Sequence, residues 1–491
     1  MRLEDKAKSG TIWVTIGQMN LKLLSLLSLV ILARLLAPQD FGIVVMASVV
    51  IEFMRLFGDF GISAAIIHHQ DEIDHYANAS FWMNISISAV LTLTTMAAAP
   101  LVVAFYQKEM LRKLIYLLSL GFFFQGIGAT HYTLLTKELD FKKATLVKLI
   151  SDTLVKGTTI IMAFAGFGVW SLVVPEVLIA PIKSLLYWWV CPWRPHWRID
   201  FHYMKKIFDY GKNVFGTDLI RYVNINTDYL IIGKMLGETM LGFYSFAYNM
   251  AAWPVVNIIW IITMVTFPLF SKIQNDLPRL HSTFLKMIRV LSIITFPLYV
   301  GLFVTAQEVI PFVFGEKWLP AIPSFQILLV FAAIRSFTSP GGQILKAIGH
   351  PEKEFQLNLI LAPSLILGII AGVQFGIIGV SVATVIVLGV GGLFFLKVVL
   401  KQIDLSFLLV LKDLRPALVS SLLMGCGVAL LRQLILPLVS SLSLMIMIYL
   451  VAGVILYFSC LYLMFRGNLK EIWILLISML PGRRTPAESV I

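Results

Sequence analysis

Several long apolar stretches of this chain carry ionisable side chains at helical spacing, and their chemistry is the first thing to explain. Lys148, Asp152 and Lys156 follow one another at intervals of four, which stacks them on one helix face. Glu176 and Lys183 bracket Pro181, with Pro175 just ahead of Glu176, and Asp218, Arg221, Asn224 and Asp228 share a sector of roughly 120°. Lys22 stands alone in the first apolar stretch, while Glu52, Arg55 and Asp59 lie toward the end of the second. Arg335 precedes the run Ser339-Pro340-Gly341-Gly342-Gln343, a combination that bends a helix. An ionised group at mid-membrane costs about 2.5–3.5 kcal/mol on insertion scales, so each needs a partner, an aqueous cavity or a route to the headgroups.

The bases Lys22, Arg55, Lys156, Arg221 and Arg335 are candidates for guiding an anionic head such as a diphosphate past hydrocarbon. For several of them an ion pair inside the protein accounts for the same residues: Glu52 or Asp59 with Arg55, Asp152 with Lys156, Asp218 with Arg221. Snorkelling alone accounts for Lys148 and Lys183. The acids Asp59, Asp152, Glu176, Asp218 and Asp228 are candidates for ion coupling or for charge balance. Asn249, Trp253, Pro254, Asn257 and Trp260 recur at helical spacing and could line a sugar path, since aromatic faces stack on apolar sugar faces. A kinked, packed helix with interfacial aromatics fits them equally well.

The elements that must position these groups follow from composition. Of 491 residues, 58% are hydrophobic and 13% charged, against about 25% charged in a soluble domain; mean hydropathy is +0.87. One compact soluble enzyme is excluded, and the excess apolar surface must face lipid. The net charge of +12 orients loops here and does not point to nucleic acid. Cys191, Cys426 and Cys460 are too scattered for a disulfide framework or a CxxC metal site. The stretch 11–33 ends in Arg34-Leu35-Leu36-Ala37-Pro38 without a small-x-small cleavage site, and is expected to be a retained first span.

Runs long enough to cross about 30 Å of hydrocarbon fall near 11–33, 41–65, 80–105, 113–135, 145–165, 169–190, 213–234, 241–270, 284–310, 320–346, 355–373, 376–398, 416–437 and 442–465. The expected fold is therefore all-α and polytopic, with about 14 transmembrane helices. With the N-terminus inside, 23 Lys and Arg fall in internal segments and 6 in external ones, Arg34, Lys108, Arg112, Lys113, Lys234 and Lys317. That bias places both termini in the cytoplasm. The internal loop 67–79 departs from it, holding His68, His69, Asp71, Glu72, Asp74 and His75 with no Lys or Arg; it reads as a solvated loop, since a zinc site needs a closed ligand set.

Landmarks repeat along the chain. Arg34, Leu36, Phe41 and Gly42 lie 200 residues before Lys234, Leu236, Leu241 and Gly242, and Phe167-Gly168 lies 208 before Phe375-Gly376. The implied organisation is a six-helix lobe at 1–190, a cytoplasmic or interfacial linker at 191–212, a second six-helix lobe at 213–398, helices 13 and 14 at 399–465, and an interfacial segment and tail at 466–491. Even helix counts make the repeats parallel, so two lobes related about the membrane normal enclose a central cavity. The linker interleaves Trp193, Arg194, Trp197, Phe201, Tyr203, Lys205, Lys206 and Tyr210, which suits the headgroup zone and anionic membrane lipids.

No GxxxxGK[ST], HExxH or GxSxG motif is present. ATP hydrolysis is therefore not expected, nor is a cofactor or metal; energy would come from an H+ or Na+ gradient, the membrane potential or the substrate gradient.

The chain resembles the bacterial polysaccharide flippases of the multidrug/oligosaccharidyl-lipid/polysaccharide exporter superfamily, in the branch of lipopolysaccharide, O-antigen, colanic acid and teichuronic acid exporters. The resemblance is carried by Leu32-Ala33-Arg34-Leu35-Leu36 with Pro38 and Phe41-Gly42, by Asp59-Phe60-Gly61-Ile62, by Lys137-Glu138-Leu139-Asp140-Phe141, by Asp228 through Gly233, and by Phe243-Tyr244-Ser245 with Ala247-Tyr248. Phe267-Pro268 with Lys272-Ile273-Gln274-Asn275-Asp276, and Phe314-Gly315-Glu316-Lys317-Trp318, extend it to about four fifths of the chain. The resemblance implies an alternating-access, secondary-type transporter of the bacterial inner membrane. Its substrate would be an oligosaccharide on undecaprenyl diphosphate, moved from the inner to the outer leaflet, with a polysaccharide polymerase and glycosyltransferases as working partners. A drug or metabolite exporter of the same architecture, a flippase for a lipid-linked peptidoglycan precursor, and a scaffold for polysaccharide enzymes are the competing readings.

Overall fold

The computed structural model describes residues 3–59, 61–68, 71–197, 200–435, 439 and 441–464, with side chains undescribed at 3–16, 59, 209–218, 221, 260–265, 267 and 268. Among them every regular element is helical and no strand occurs. Among the described residues ten helical stretches are long and apolar enough to cross a membrane. Leu101, Leu93, Ile161, Leu367 and Leu430 are each more than three-fifths exposed, the surface of a protein whose solvent there is hydrocarbon. The chain divides into two compact units, 1–245 and 246–491.

The first unit contains α1 (Leu3–Leu35), α2 (Pro38–Asp59), α3 (Ile62–His68), α4 (Ile73–Tyr106), α5 (Met110–Lys137), α6 (Phe141–Phe164), α7 (Trp170–Val190) and the first part of α8 (Phe201–Ile273). The α4–α5 hairpin is joined through small and hydroxyl side chains. Asn84 Nδ2 donates to Thr130 Oγ1 at 3.1 Å and to Ser80 Oγ at 3.3 Å, all three buried. Such interhelical hydrogen bonds let backbones approach where lipid supplies no hydrophobic drive. α1 packs on α6, and α7 on both α5 and α6.

The segment after α7 reaches back over this unit. Trp82 Nε1 donates to the His196 carbonyl at 2.9 Å, and the His196 amide to Asn78 Oδ1 at 2.8 Å. Glu72 of the acidic loop accepts from the Tyr203 hydroxyl at 2.8 Å, which pushes that phenol's pKa up, and His75 stacks on the Tyr203 ring at 5.1 Å. Trp197, Phe201, Phe208, Lys205 and Lys206 face outward, the mixture that suits a headgroup layer. Sequence places a linker up to residue 212; in the structure helix begins at Phe201 and runs on into the following span.

That long helix is broken at Gly237, with φ 83° and ψ 178°. Only glycine takes such a conformation without cost. The chain reverses there, because Asp228 and Tyr244 would lie about 24 Å apart on one straight helix but are hydrogen-bonded at 2.9 Å.

The second unit holds the rest of α8, α9 (Leu277–Phe314), α10 (Ile322–Thr338), α11 (Gly341–Ala347), α12 (Pro351–Gly372), α13 (Gly376–Thr384), α14 (Val390–Gln402), α15 (Phe407–Ile435) and α16 (Leu442–Met464). The helix bend expected at Ser339-Pro340 is the junction of α10 and α11. One apolar cluster runs from Phe270 through Phe284, Leu291 and Phe337 to Leu396, Val410, Tyr449 and Leu461, so α15 and α16 share the core of this unit. Tyr457 of α16 donates its hydroxyl to the Ile293 carbonyl of α9 at 3.0 Å, fully buried. Tyr457→Phe should lower stability in detergent by about 1 kcal/mol, read by thermal unfolding of purified protein.

Candidate functional site

Within the first unit, α2, α5, α6 and α7 surround a cavity of about 430 Å³, a volume ordinary for a ligand site. Arg55 enters from α2, Gln125 and Tyr132 from α5, Lys148, Ser151 and Asp152 from α6, and Glu176, Lys183 and Tyr187 from α7. The walls come together through small residues and backbone acceptors. Gly128 of α5 faces Ser184 of α7, whose hydroxyl donates to the Phe124 carbonyl at 2.5 Å, while Trp188 Nε1 donates to the Ile127 carbonyl at 2.9 Å. Pro181 denies α7 the backbone donor that would reach the Val177 carbonyl.

The cavity holds three cations and two carboxylates within a belt of lipid-facing helices. Among the described residues none of Arg55, Lys148 and Lys183 lies within ion-pair distance of Asp152 or Glu176. Arg55 and Glu176 are exposed to the cavity space, whereas Lys148, Asp152 and Lys183 are half-buried. Tyr132 and Tyr187 stand 5.4 Å apart between ring centroids, an aromatic wall beside the charges. An arrangement of unpaired bases, hydroxyls and an aromatic face can receive an anion attached to a polar, ring-bearing group.

The structure distributes the sequence-predicted residues unevenly. Arg55, Asp152 and Glu176 meet in this cavity, joined by Lys148 and Lys183, for which snorkelling had been reason enough. The signals in sequence were the four-residue spacing of Lys148 and Asp152 and the two-turn spacing of Glu176 and Lys183 around Pro181. Lys156 is half-buried one turn beyond Asp152 and does not line the cavity. Lys22 is half-buried on α1. Asp228 is buried against its own helix pair, Oδ2 accepting from the Tyr244 hydroxyl at 2.9 Å and Oδ1 from the Tyr229 amide at 2.8 Å.

In the second unit, Arg335 borders a small hollow with Tyr248, Ala251 and Phe331, its guanidinium 6.0 Å from the Phe331 ring centroid. Asn249 is exposed and Trp253 half-buried, and Asn257 turns its amide back onto the Trp253 carbonyl at 2.7 Å. The side chains of Asp59, Asp218, Arg221 and Trp260 lie outside the described residues. Among the described residues no group of three or more His, Cys, Asp or Glu is placed to hold a metal ion.

Fold and cavity together define a multi-pass helical membrane protein with a charged chamber inside its apolar belt. The family model described as "Polysaccharide biosynthesis protein" matches residues 31–323. The chain is 30% identical to the lipopolysaccharide biosynthesis protein WzxC of Escherichia coli, over 79% of each chain. It is 29% identical to the teichuronic acid biosynthesis protein TuaB of Bacillus subtilis, over 71% of this chain and 72% of that one. Its fold is that of the lipid II flippase MurJ in an inward closed conformation, with a TM-score of 0.76 at 16% identity, covering 93% of this chain and all of the other. The chain belongs to the polysaccharide biosynthesis protein family.

Proposed function

We propose that this protein flips an undecaprenyl-diphosphate-linked oligosaccharide from the inner to the outer leaflet of the bacterial cytoplasmic membrane, for surface polysaccharide synthesis. The observation that carries this reading is the cavity's unpaired trio Arg55, Lys148 and Lys183, in a chain of the polysaccharide biosynthesis protein family. A diphosphate is the anionic part of such a substrate, and guanidinium and ammonium groups are its natural partners. Tyr132 and Tyr187 offer an aromatic face to a sugar, and the prenyl tail stays in lipid. The fold shared with the lipid II flippase MurJ suits the same task.

Both termini lie in the cytoplasm, and residues 1–190 rock against residues 213–398 in alternating access. The energy source is an H+ or Na+ gradient or the membrane potential, with the acids of the cavity as places for the ion. Binding must repay headgroup desolvation yet differ little between the two open states, or release would stall.

The test is purified protein in liposomes holding a fluorescent undecaprenyl-diphosphate oligosaccharide in one leaflet. Protein-dependent exposure of the sugar to an impermeant reagent on the far side is expected. Absence of exposure above empty liposomes, for several sugar heads and with either ion gradient, would remove the proposal. Asp152 and Glu176 in the same cavity favour one competitor, an exporter of organic cations; it predicts toxic-compound resistance on overexpression with normal surface glycan after deletion.

A further inference from the structure

Two short stretches 200 residues apart, Pro38 to Gly42 and Glu238 to Gly242, lie against each other inside the first unit. A Cβ built on Gly42 would fall 1.7 Å from the Glu238 carbonyl oxygen and 2.9 Å from the Gly242 nitrogen. A Cβ built on Gly242 would fall 1.9 Å from the Pro38 carbonyl oxygen and 3.3 Å from the Gly42 nitrogen. The contacts are reciprocal: position 42 meets 238 and 242, and position 242 meets 38 and 42. Reciprocity of this kind marks an isologous contact about a two-fold axis. Here the axis relates two parts of one chain, at the offset that also relates Arg34 to Lys234 and Leu36 to Leu236. The atoms met are backbone atoms and cannot rotate aside, so neither position accepts a side chain while the crossing is formed.

Two further interactions join the second stretch and the end of the span before it to the turn between α4 and α5. Lys108 Nζ meets Glu238 Oε1 at 2.7 Å, and Lys234 Nζ donates to the Phe105 carbonyl while lying 5.0 Å from the centre of the Phe105 ring. Burial alone would push the Glu238 carboxyl up, but the Lys108 contact prevails and holds it below the usual carboxylate range. The charge bias of the loops puts all of these turns on the outer face.

We propose that the Gly42–Gly242 crossing, with the Lys108–Glu238 pair beside it, is an outer latch: closed backbone against backbone while the substrate path is shut to the outside, and parted when it opens. The inference rests on the alternating-access reading, because Gly42 belongs to the segment 1–190 and Gly242 to 213–398, which that motion displaces. A contact of two glycine backbones buries little apolar area, so it can part readily. The ion pair supplies registry and is exposed enough for water to replace it.

The experiment uses full-length protein in membranes, with Cys191, Cys426 and Cys460 replaced by alanine and the pair Lys108→Cys/Glu238→Cys introduced. A short, reducible bis-methanethiosulfonate reagent should link the pair and lower transport more than tenfold, with recovery on reduction. Adding Gly42→Ala or Gly242→Ala should cut linking yield at least fivefold. If either alanine variant fails to fold, Lys108→Glu on otherwise native protein should slow transport, and Lys108→Glu/Glu238→Lys should restore it. Linked protein that transports at the unlinked rate, or equal linking with and without the added alanine, would overturn the latch. Linking that depends on both glycines, in protein that moves no lipid-linked oligosaccharide even when unlinked, would support the closed latch while refuting the proposed substrate.

Discussion

Replacing Arg55 and Lys183 together with alanine should lower the initial rate of oligosaccharide flipping about a hundredfold at subsaturating substrate, with folded protein in the membrane unchanged. Each base can make a charge-assisted hydrogen bond worth about 1.5–3 kcal/mol, and about 1.4 kcal/mol is a factor of ten. The two come from different helices, α2 and α7, and neither is within ion-pair distance of a described acid. Their losses should therefore come close to adding. Lys148→Ala, from the third helix, should cost about tenfold alone. Neutralising an acid tests the sign: Asp152→Asn leaves the cavity more positive, so a diphosphate should bind more tightly and leave more slowly, lowering KM and kcat together. An organic cation would bind less well to the same variant. Rates unaltered by the Arg55/Lys183 double replacement would separate this cavity from the transport path.

The belt of spans was readable in the sequence because hydropathy over about twenty residues is a strong signal, and the residue-to-residue offset of 200 was readable because glycine recurs at 42 and 242, where two backbones cross. The break inside α8 was readable as well, since one apolar run ends at 234 and the next begins at 241 with Gly237 between them. Gly237 sits among residues that otherwise favour helix, and its left-handed φ is set by the reversal that brings Asp228 to Tyr244. Depth was legible for charged groups, but direction was not. Lys183 lies among residues of α7 that read as lipid-facing, and only the packing of α7 on α5 through Gly128 and Ser184 turns it into the cavity. Lys156 shares the face of Asp152 by spacing, yet in its turn it is Val155 that lines the cavity. Periodicity gives a helix its faces; the neighbours decide which face has water.

A second large effect is expected far from the cavity, where α15 runs beside α9. Arg289 meets Asp413 at 2.9 Å, and Arg432 meets Glu308 at 2.6 Å, both with the same sequence separation of 124. Equal separations mean the two helices run parallel and in register. The pairs are 19 residues apart on each helix, about 28 Å at 1.5 Å per residue, close to the thickness of the hydrocarbon core. Each therefore sits near one membrane boundary, where a charge pair costs least to desolvate, and their opposite polarity forbids a slipped register. The inverted signs at matching spacing, Arg289 with Glu308 and Asp413 with Arg432, are a sequence signature of this staple.

Glu308 is buried, and its second carboxylate oxygen has no partner among the described residues. Arg432→Leu removes the cation that holds it, and breaking such a pair by one partner costs about 3–5 kcal/mol. The midpoint of unfolding in detergent should fall clearly, while Arg432→Leu with Glu308→Leu should recover most of the loss, because two apolar side chains replace the pair without stranding a charge. Gln307, which accepts from Arg432 at 2.5 Å, is exposed, and Gln307→Ala should change little. A single replacement no worse than the double would mean that the pair is merely a surface contact.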